Sequence, residues 1–225
     1  MLEDEIYERM VDTILSHRLP PGTKLVEDRL ATAFGVSRTR IRPVLVRLAN
    51  ERIVTLTLNR GATVAQPDEA EAREVFEVRR LIEPTLVARF IGQAGPADIA
   101  QLARCIADEE AAREAGDLRR AVRCSGDFHL LIAAAAGQRT LGRILRELVS
   151  RTSLVLMSYA RRPQAEGCGC TAHRALLAAI RLRDPEAAGR LMLEHLAQLE
   201  AQLYFTPVGP VAPDLLALFA EASNG

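Results

Sequence analysis

Three histidines hold the clearest chemical promise in this chain. His129, His173 and His195 each lie within an apolar stretch of helical spacing, and a fourth, His17, stands at the end of the first helix. A lone histidine on such a helix is an ordinary core or groove residue. Three on separate helices of one bundle can converge, and imidazoles converging in a bundle core form a metal site. Arg79 lies on a long amphipathic segment of the same half. Burying Arg79 with three imidazoles costs free energy unless a partner is supplied, which points to a bound ligand.

The second constellation is basic. Between Ser37 and Arg60 lie Arg38, Arg40, Arg42, Arg47, Arg52 and Arg60 against one acid, Glu51, a formal charge of +5 in a chain whose net charge is zero. Such a patch suits phosphate contact, and its affinity should fall steeply with salt. Three histidines around a metal with an open position are also how hydrolytic zinc sites are built. Here, however, no HExxH pairing, nucleophile motif or Gly-rich phosphate loop accompanies them. An enzyme is therefore not expected.

The elements that must position these groups follow from periodicity. Val26, Leu30, Ala33 and Phe34 give one helix a buried face, and Gly35 ends it. Ser37 offers an N-cap hydroxyl to the next helix, which buries Ile41, Val44, Leu45 and Leu48 and turns its arginines outward. Val54–Leu58 and Ala62–Ala65 then read as two strands joined by Asn59-Arg60-Gly61. Helix, turn, basic helix and hairpin make a winged helix-turn-helix.

Ahead of it, residues 4–17 form a helix burying Ile6, Met10, Ile14 and Leu15, and Thr23–Val26 forms a short strand that joins the wing sheet. Gln66-Pro67-Asp68 is the linker. Beyond it only helical segments separated by breakers remain: Glu69–Gln93 (burying Val75, Val78, Ile82, Leu86 and Phe90), Ala97–Ala115, Leu118–Ala136, Gln138–Tyr159, Cys170–Arg183, Pro185–Tyr204 and a last helix near Asp214–Ala222. Arg161–Gly169 is a loop and Thr206–Pro213 a Pro-rich tether. The fold class is therefore mostly α, a small β wing followed by an antiparallel bundle of six or seven helices. Cys105, Cys124, Cys168 and Cys170 lack zinc or CxxC spacing and read as reduced thiols of a cytoplasmic protein. No apolar run is long enough to span a bilayer.

The stretch from Pro20 to Val64 resembles the DNA-binding domain of the GntR family of bacterial transcription regulators. The resemblance is carried by Pro21-Gly22, Leu25, Glu27, Leu30-Ala31, Phe34-Gly35-Val36-Ser37-Arg38-Thr39, Arg42, Leu45, Arg47-Leu48 and Asn59-Arg60-Gly61. It implies that Ser37, Arg38, Thr39 and Arg42 contact phosphates or base edges, and that Gly61 brings the wing to the minor groove. Arg40, Arg47 and Arg60 complete the expected DNA-contact set. Two residues depart from the family pattern: Pro43 replaces a usual Glu inside a helix, where proline invites a kink, and Arg40 replaces a frequent Pro.

The second half is similar to the FCD effector domain of the FadR-like subfamily, through Arg79-xx-Ile82-Glu83, Asp127-Phe128-His129, Ala135-x-Gly137, His173 with Ala178-x-x-Arg181-x-x-Asp184, and His195. That resemblance implies a divalent metal, zinc or nickel, on His129, His173 and His195, joined by an Asp four residues before the first histidine. Here that position is Ser125. Asp127 lies about 200° round the helix from His129 and cannot substitute. Either water or the effector's carboxylate completes a metal sphere, or the pocket is metal-free and Arg79, Ser125 and the histidines bind the effector directly.

The expected protein is thus a repressor acting as a homodimer on an inverted repeat. Residues 1–66 would read operator DNA; residues 68–225 would bind a small anionic metabolite and dimerise, with no membrane partner. The alternative is a metal-dependent enzyme or metal sensor built on the three histidines.

Overall fold

The computed structural model describes residues 2–15, 18–58, 60–159, 168–205, 215 and 219. The chain forms two compact units, Met1–Pro67 with Pro207–Gly225, and Asp68–Thr206. The second unit ends before the tail, whereas residues 68–225 were expected to form one domain.

In the first unit, α1 spans Glu3–Leu15, α2 Glu27–Phe34 and α3 Arg38–Asn50. Three short strands complete it: β1 Lys24–Leu25, β2 Val54–Thr57 and β3 Gly61–Val64. They form an antiparallel sheet in the order β1-β3-β2, so the expected strand before α2 does join the wing. Ile6, Met10, Ile14, Leu30, Phe34, Ile41, Leu45 and Leu48 fill the core between the helices. Gly35 caps α2 with φ +64°, a left-handed conformation that only glycine adopts without strain. Ser37 occupies the N-cap of α3, but its hydroxyl is not used as a cap. It bonds Thr39 Oγ1 at 2.7 Å instead. Helix α3 runs unbroken through Pro43, which lies on its exposed side.

The second unit holds six helices among the described residues: α4 Glu69–Gln93, α5 Pro96–Glu114, α6 Leu118–Ala135, α7 Arg139–Tyr159, α8 Cys168–Arg181 and α9 Pro185–Ala201. Asp68, Asp117 and Asp184 each accept a backbone N–H from the first turn of the helix that follows, at 2.8, 3.0 and 2.9 Å, which fixes three of the six starts. The core runs through Phe76, Leu86, Phe90, Leu102, Phe128, Ile132, Leu176 and Leu196. No helix among the described residues is long and apolar enough to cross a membrane.

Three expectations need correction. Val78 is exposed, because the inner face of α4 runs through Phe76, Arg79, Glu83 and Val87. A stripe drawn through apolar residues alone drifts off that face wherever charged residues are buried. Cys168 and Gly169 belong to α8 rather than to the preceding loop, and α9 ends at Ala201 rather than Tyr204. Helix α1 is described through Leu15; its expected continuation to His17 falls outside the described residues, as do the loop over 161–167 and the tether over 206–213. Of the expected last helix, Leu215 and Phe219 are described, both helical.

Those two tail residues are buried in the first unit. The Phe219 ring lies 4.6 Å from that of Phe34, and the Phe219 carbonyl accepts a bond from Arg9 Nη2 at 3.1 Å. Removing a buried phenylalanine leaves a cavity that costs roughly 3 kcal/mol. Phe219→Ala should destabilise the protein by about that amount in urea unfolding; an unchanged midpoint would show that the tail contributes no packing there.

Candidate functional site

The three histidines come from α6, α8 and α9, and they meet. One ligand atom from each lies within 4.8 Å of the others, and all three side chains are buried. His173 Nε2 and His195 Nε2 approach to 3.2 Å, while the His129 and His195 rings stack with centroids 5.3 Å apart. Phe128 stacks on His173 at 4.2 Å and closes the cluster on that side.

Two carboxylates that sequence reasoning did not assign to the site orient these rings. Glu83 Oε2 meets His129 Nδ1 at 2.5 Å, and Glu109 Oε2 meets His173 Nδ1 at 2.8 Å. An ionised carboxylate only accepts, so each Nδ1 carries the proton and each Nε2 is left as a lone pair facing the cluster. Arginines support both acids: Arg79 Nε donates to Glu83 Oε1 at 2.5 Å, and Arg113 Nη2 donates to Glu109 Oε1 at 2.8 Å. Arg79 Nη1 also donates to Thr152 Oγ1 of α7 at 3.1 Å. All six helices of the bundle therefore contribute to one polar core. The sequence holds the missed pairs as Arg79/Glu83 and Glu109/Arg113, acid and base four apart, but both helices carry many other charges, so spacing alone did not single them out.

Two atoms remain unmatched. His129 Nε2 and Arg79 Nη2 are buried without a hydrogen-bond partner. Buried polar groups are almost always partnered, so these orphans mark where a further species would sit. Ser125 lies one turn before His129 on α6 and is half-buried. Asp127 is exposed, 4.0 Å from Arg123, and stays outside the cluster.

Burial works against the charged form of each group in the site. It pushes the Glu83 carboxyl up, but Arg79 and His129 outweigh it and hold the group down at about 2. Burial lowers His129 to about 4 even though Glu83 pulls the other way. His195 is lowered for the same reason, reinforced by His173 and His129. A folded-state pKa below the unfolded one gives stability that is present at high pH and lost as pH falls. The ligand-free protein should therefore lose stability between pH 6.5 and 4 as His129 is forced to charge, by on the order of 3 kcal/mol. Chemical denaturation across that window checks this; a flat profile would mean that His129 titrates normally.

The basic face lies in the first unit. Arg38, Thr39, Arg40 and Arg42 are exposed on α3, and Arg60 and Gly61 are exposed at the wing tip. Gly61 has φ +85° with open space where a Cβ would go, so backbone conformation rather than crowding calls for glycine. Arg38 pairs with Asp28, and Arg42 Nε donates to Glu27 at 2.9 Å. Exposed pairs of this kind contribute little and exchange readily for phosphate. Arg47 is placed differently. It pairs with Asp4 at 2.8 Å and its guanidinium lies 3.5 Å from the Tyr7 ring centroid, so it braces α1 against α3.

Comparison with known proteins agrees with both units. Residues 2–64 match the family model of bacterial regulatory proteins, gntR family, and residues 74–198 match the FCD domain. The HTH-type transcriptional regulator McbR of Escherichia coli strain K12 is 25% identical over 201 residues, spanning 86% of this chain and 91% of its own. The HTH-type transcriptional repressor GlaR of the same strain is 27% identical over 204 residues, spanning 84% and 90%. The solved structure of E. coli McbR/YncC superimposes with a TM-score of 0.79 at 23% identity, covering 88% of this chain and 94% of that one. These families are regulators, not enzymes. The first unit is a winged basic head and the second a helical bundle with a buried polar centre, and this chain is a DNA-binding transcription regulator of the GntR family with an FCD effector domain.

Proposed function

We propose that the protein is a cytoplasmic repressor that binds an inverted-repeat operator as a homodimer and responds to a small carboxylate-bearing metabolite at the polar core of its FCD domain. The observation that carries the effector half is the pair of orphaned donor and acceptor atoms, Arg79 Nη2 and His129 Nε2, inside a sealed cluster. A carboxylate could accept from the arginine, and a metal could take the imidazole lone pairs. Binding there would act on operator affinity if it favours one placement of the two reading heads of a dimer. One head per chain makes the inverted repeat the matching target.

The donor set suits a divalent metal such as zinc or nickel. Imidazole is a good ligand for both, and carboxylates on the far ring nitrogens raise its basicity. Tetrahedral Zn–N bonds of about 2.0–2.1 Å separate ligand nitrogens by about 3.3 Å. The 3.2 Å between His173 Nε2 and His195 Nε2 is close to that spacing, and the His129 ligand atom, within 4.8 Å of the others, would have to move inward. His129, His173 and His195 would hold the ion, with the effector or water completing its sphere. Ser125 supplies neither the charge nor the strong donor of an aspartate. Ser125→Asp should therefore raise zinc- or nickel-dependent stabilisation, and adding His173→Ala should abolish the gain. Melting temperatures measured during metal titration test this. If Ser125→Asp gains nothing over the parent, the histidines are a hydrogen-bonding pocket and not a latent metal site.

For the reading head, we assign DNA contact to Ser37, Arg38, Thr39, Arg40 and Arg42 of the α3 region and to Arg60 and Gly61 of the wing. Arg47 is left to its brace against α1. Arg38→Ala or Arg42→Ala should weaken operator binding by about 1–3 kcal/mol where the arginine reads a base edge, with thermal stability nearly unchanged. Fluorescence anisotropy giving wild-type affinity for both variants would overturn the assignment.

A further inference from the structure

The wing carries an unusual projection. Val54, Leu56 and Leu58 alternate along one side of β2 and into its turn, and their exposure climbs from 2% through 46% to 89%. Val54 pairs with Val64 and Leu56 with Ala62, so this is the side that packs on the core. The strand outruns the core it covers. Its last leucine stands in the turn closed by Arg60 N–H donating to the Thr57 carbonyl at 3.0 Å, a position usually polar.

A single exposed leucine needs no explanation. The surroundings of this one do. From Arg52 to Pro67 the chain holds two arginines and no acid, and exposed Thr55 and Thr57 alternate with the leucines. Arg52 stands at the far end of β2, whereas Arg60 adjoins the tip itself. A cation beside an apolar tip suits a polyanion that also offers apolar surface. Duplex DNA does so, with deoxyribose lying between its phosphates. A neutral protein partner would explain the leucines but not the acid-free basic frame.

We propose that Leu58, with Leu56 behind it, is an apolar DNA contact of the wing, packing on deoxyribose beside the phosphate that Arg60 neutralises. This rests on the operator-binding role of the first unit and adds a contact whose energy comes from burial, not charge. The two contacts differ in their salt signatures. An arginine on a phosphate releases counterions, so its loss lowers the salt dependence of binding; an apolar contact releases none.

The test uses the full chain and the duplex it enriches from a randomised DNA library. Affinity is measured by anisotropy over a salt series for wild type, Leu58→Ala, Leu58→Met and Arg60→Ala. Leu58→Ala should bind about tenfold more weakly at every salt concentration, the scale expected for losing most of a buried leucine side chain, with the log–log salt slope unchanged. Leu58→Met should keep near-wild-type affinity. Arg60→Ala should reduce the slope by about one. Melting temperatures should not move, because Leu58 is 89% exposed. Wild-type affinity for Leu58→Ala, alongside weakened Arg38→Ala, overturns the wing contact and leaves the reading head intact. A Leu58→Ala variant that loses self-association in sedimentation along with affinity also overturns it, making a second copy the occupant. If wild type enriches no duplex, the operator reading and this contact fall together.

Discussion

Burying ionised carboxylates in the middle of a helical bundle is the constraint on which the second unit depends. Glu83 and Glu109 are both sealed from solvent, and an unpaired charge there would cost several kcal/mol or more. Each is matched on one oxygen by an arginine from its own helix and on the other by a histidine from another helix. The arginine holds the acid ionised, the acid fixes the imidazole tautomer, and the imidazole turns its lone pair toward a common point. Packing around that point is aromatic and aliphatic, so few other arrangements of these helices would leave both acids satisfied. The network therefore specifies helix register as well as forming a site.

The same network explains the chemical character of the centre. Three imidazole edges and one arginine donor face inward, and the flanking carboxylates are already engaged. The centre is thus able to receive a cation on nitrogen, an anion on guanidinium, or both together.

The first unit is governed by a different balance. Its positive face is held on the surface by weak exchangeable pairs, Arg38 with Asp28 and Arg42 with Glu27, which keep α3 oriented without committing its charges. Arg47 shows the opposite use of the same residue type. A guanidinium lying over an aromatic ring and paired to a carboxylate is a structural clamp. Six arginines within twenty-four residues are thus not equivalent, and only their surroundings tell an exposed one from a brace.

Periodicity and turn chemistry alone determined the order of elements, the winged hairpin, the helical second half and the full span of α4, because these are local consequences of side-chain spacing and capping. The histidines, too, could be singled out from sequence, as imidazoles on three separate helices. What only the tertiary structure decided was anything that depends on partners distant in the chain. Glu109 meets His173 across sixty-four positions, and Glu83 meets His129 across forty-six. No local pattern records such a pairing. Val78 was misplaced for the same reason: hydrophobicity marks a buried face only when that face is apolar, and here Arg79 and Glu83 lie on it. The docking of Phe219 on Phe34 joins the two ends of the chain, a contact that sequence spacing cannot express because its favourable term is burial and its geometry is set by the whole fold.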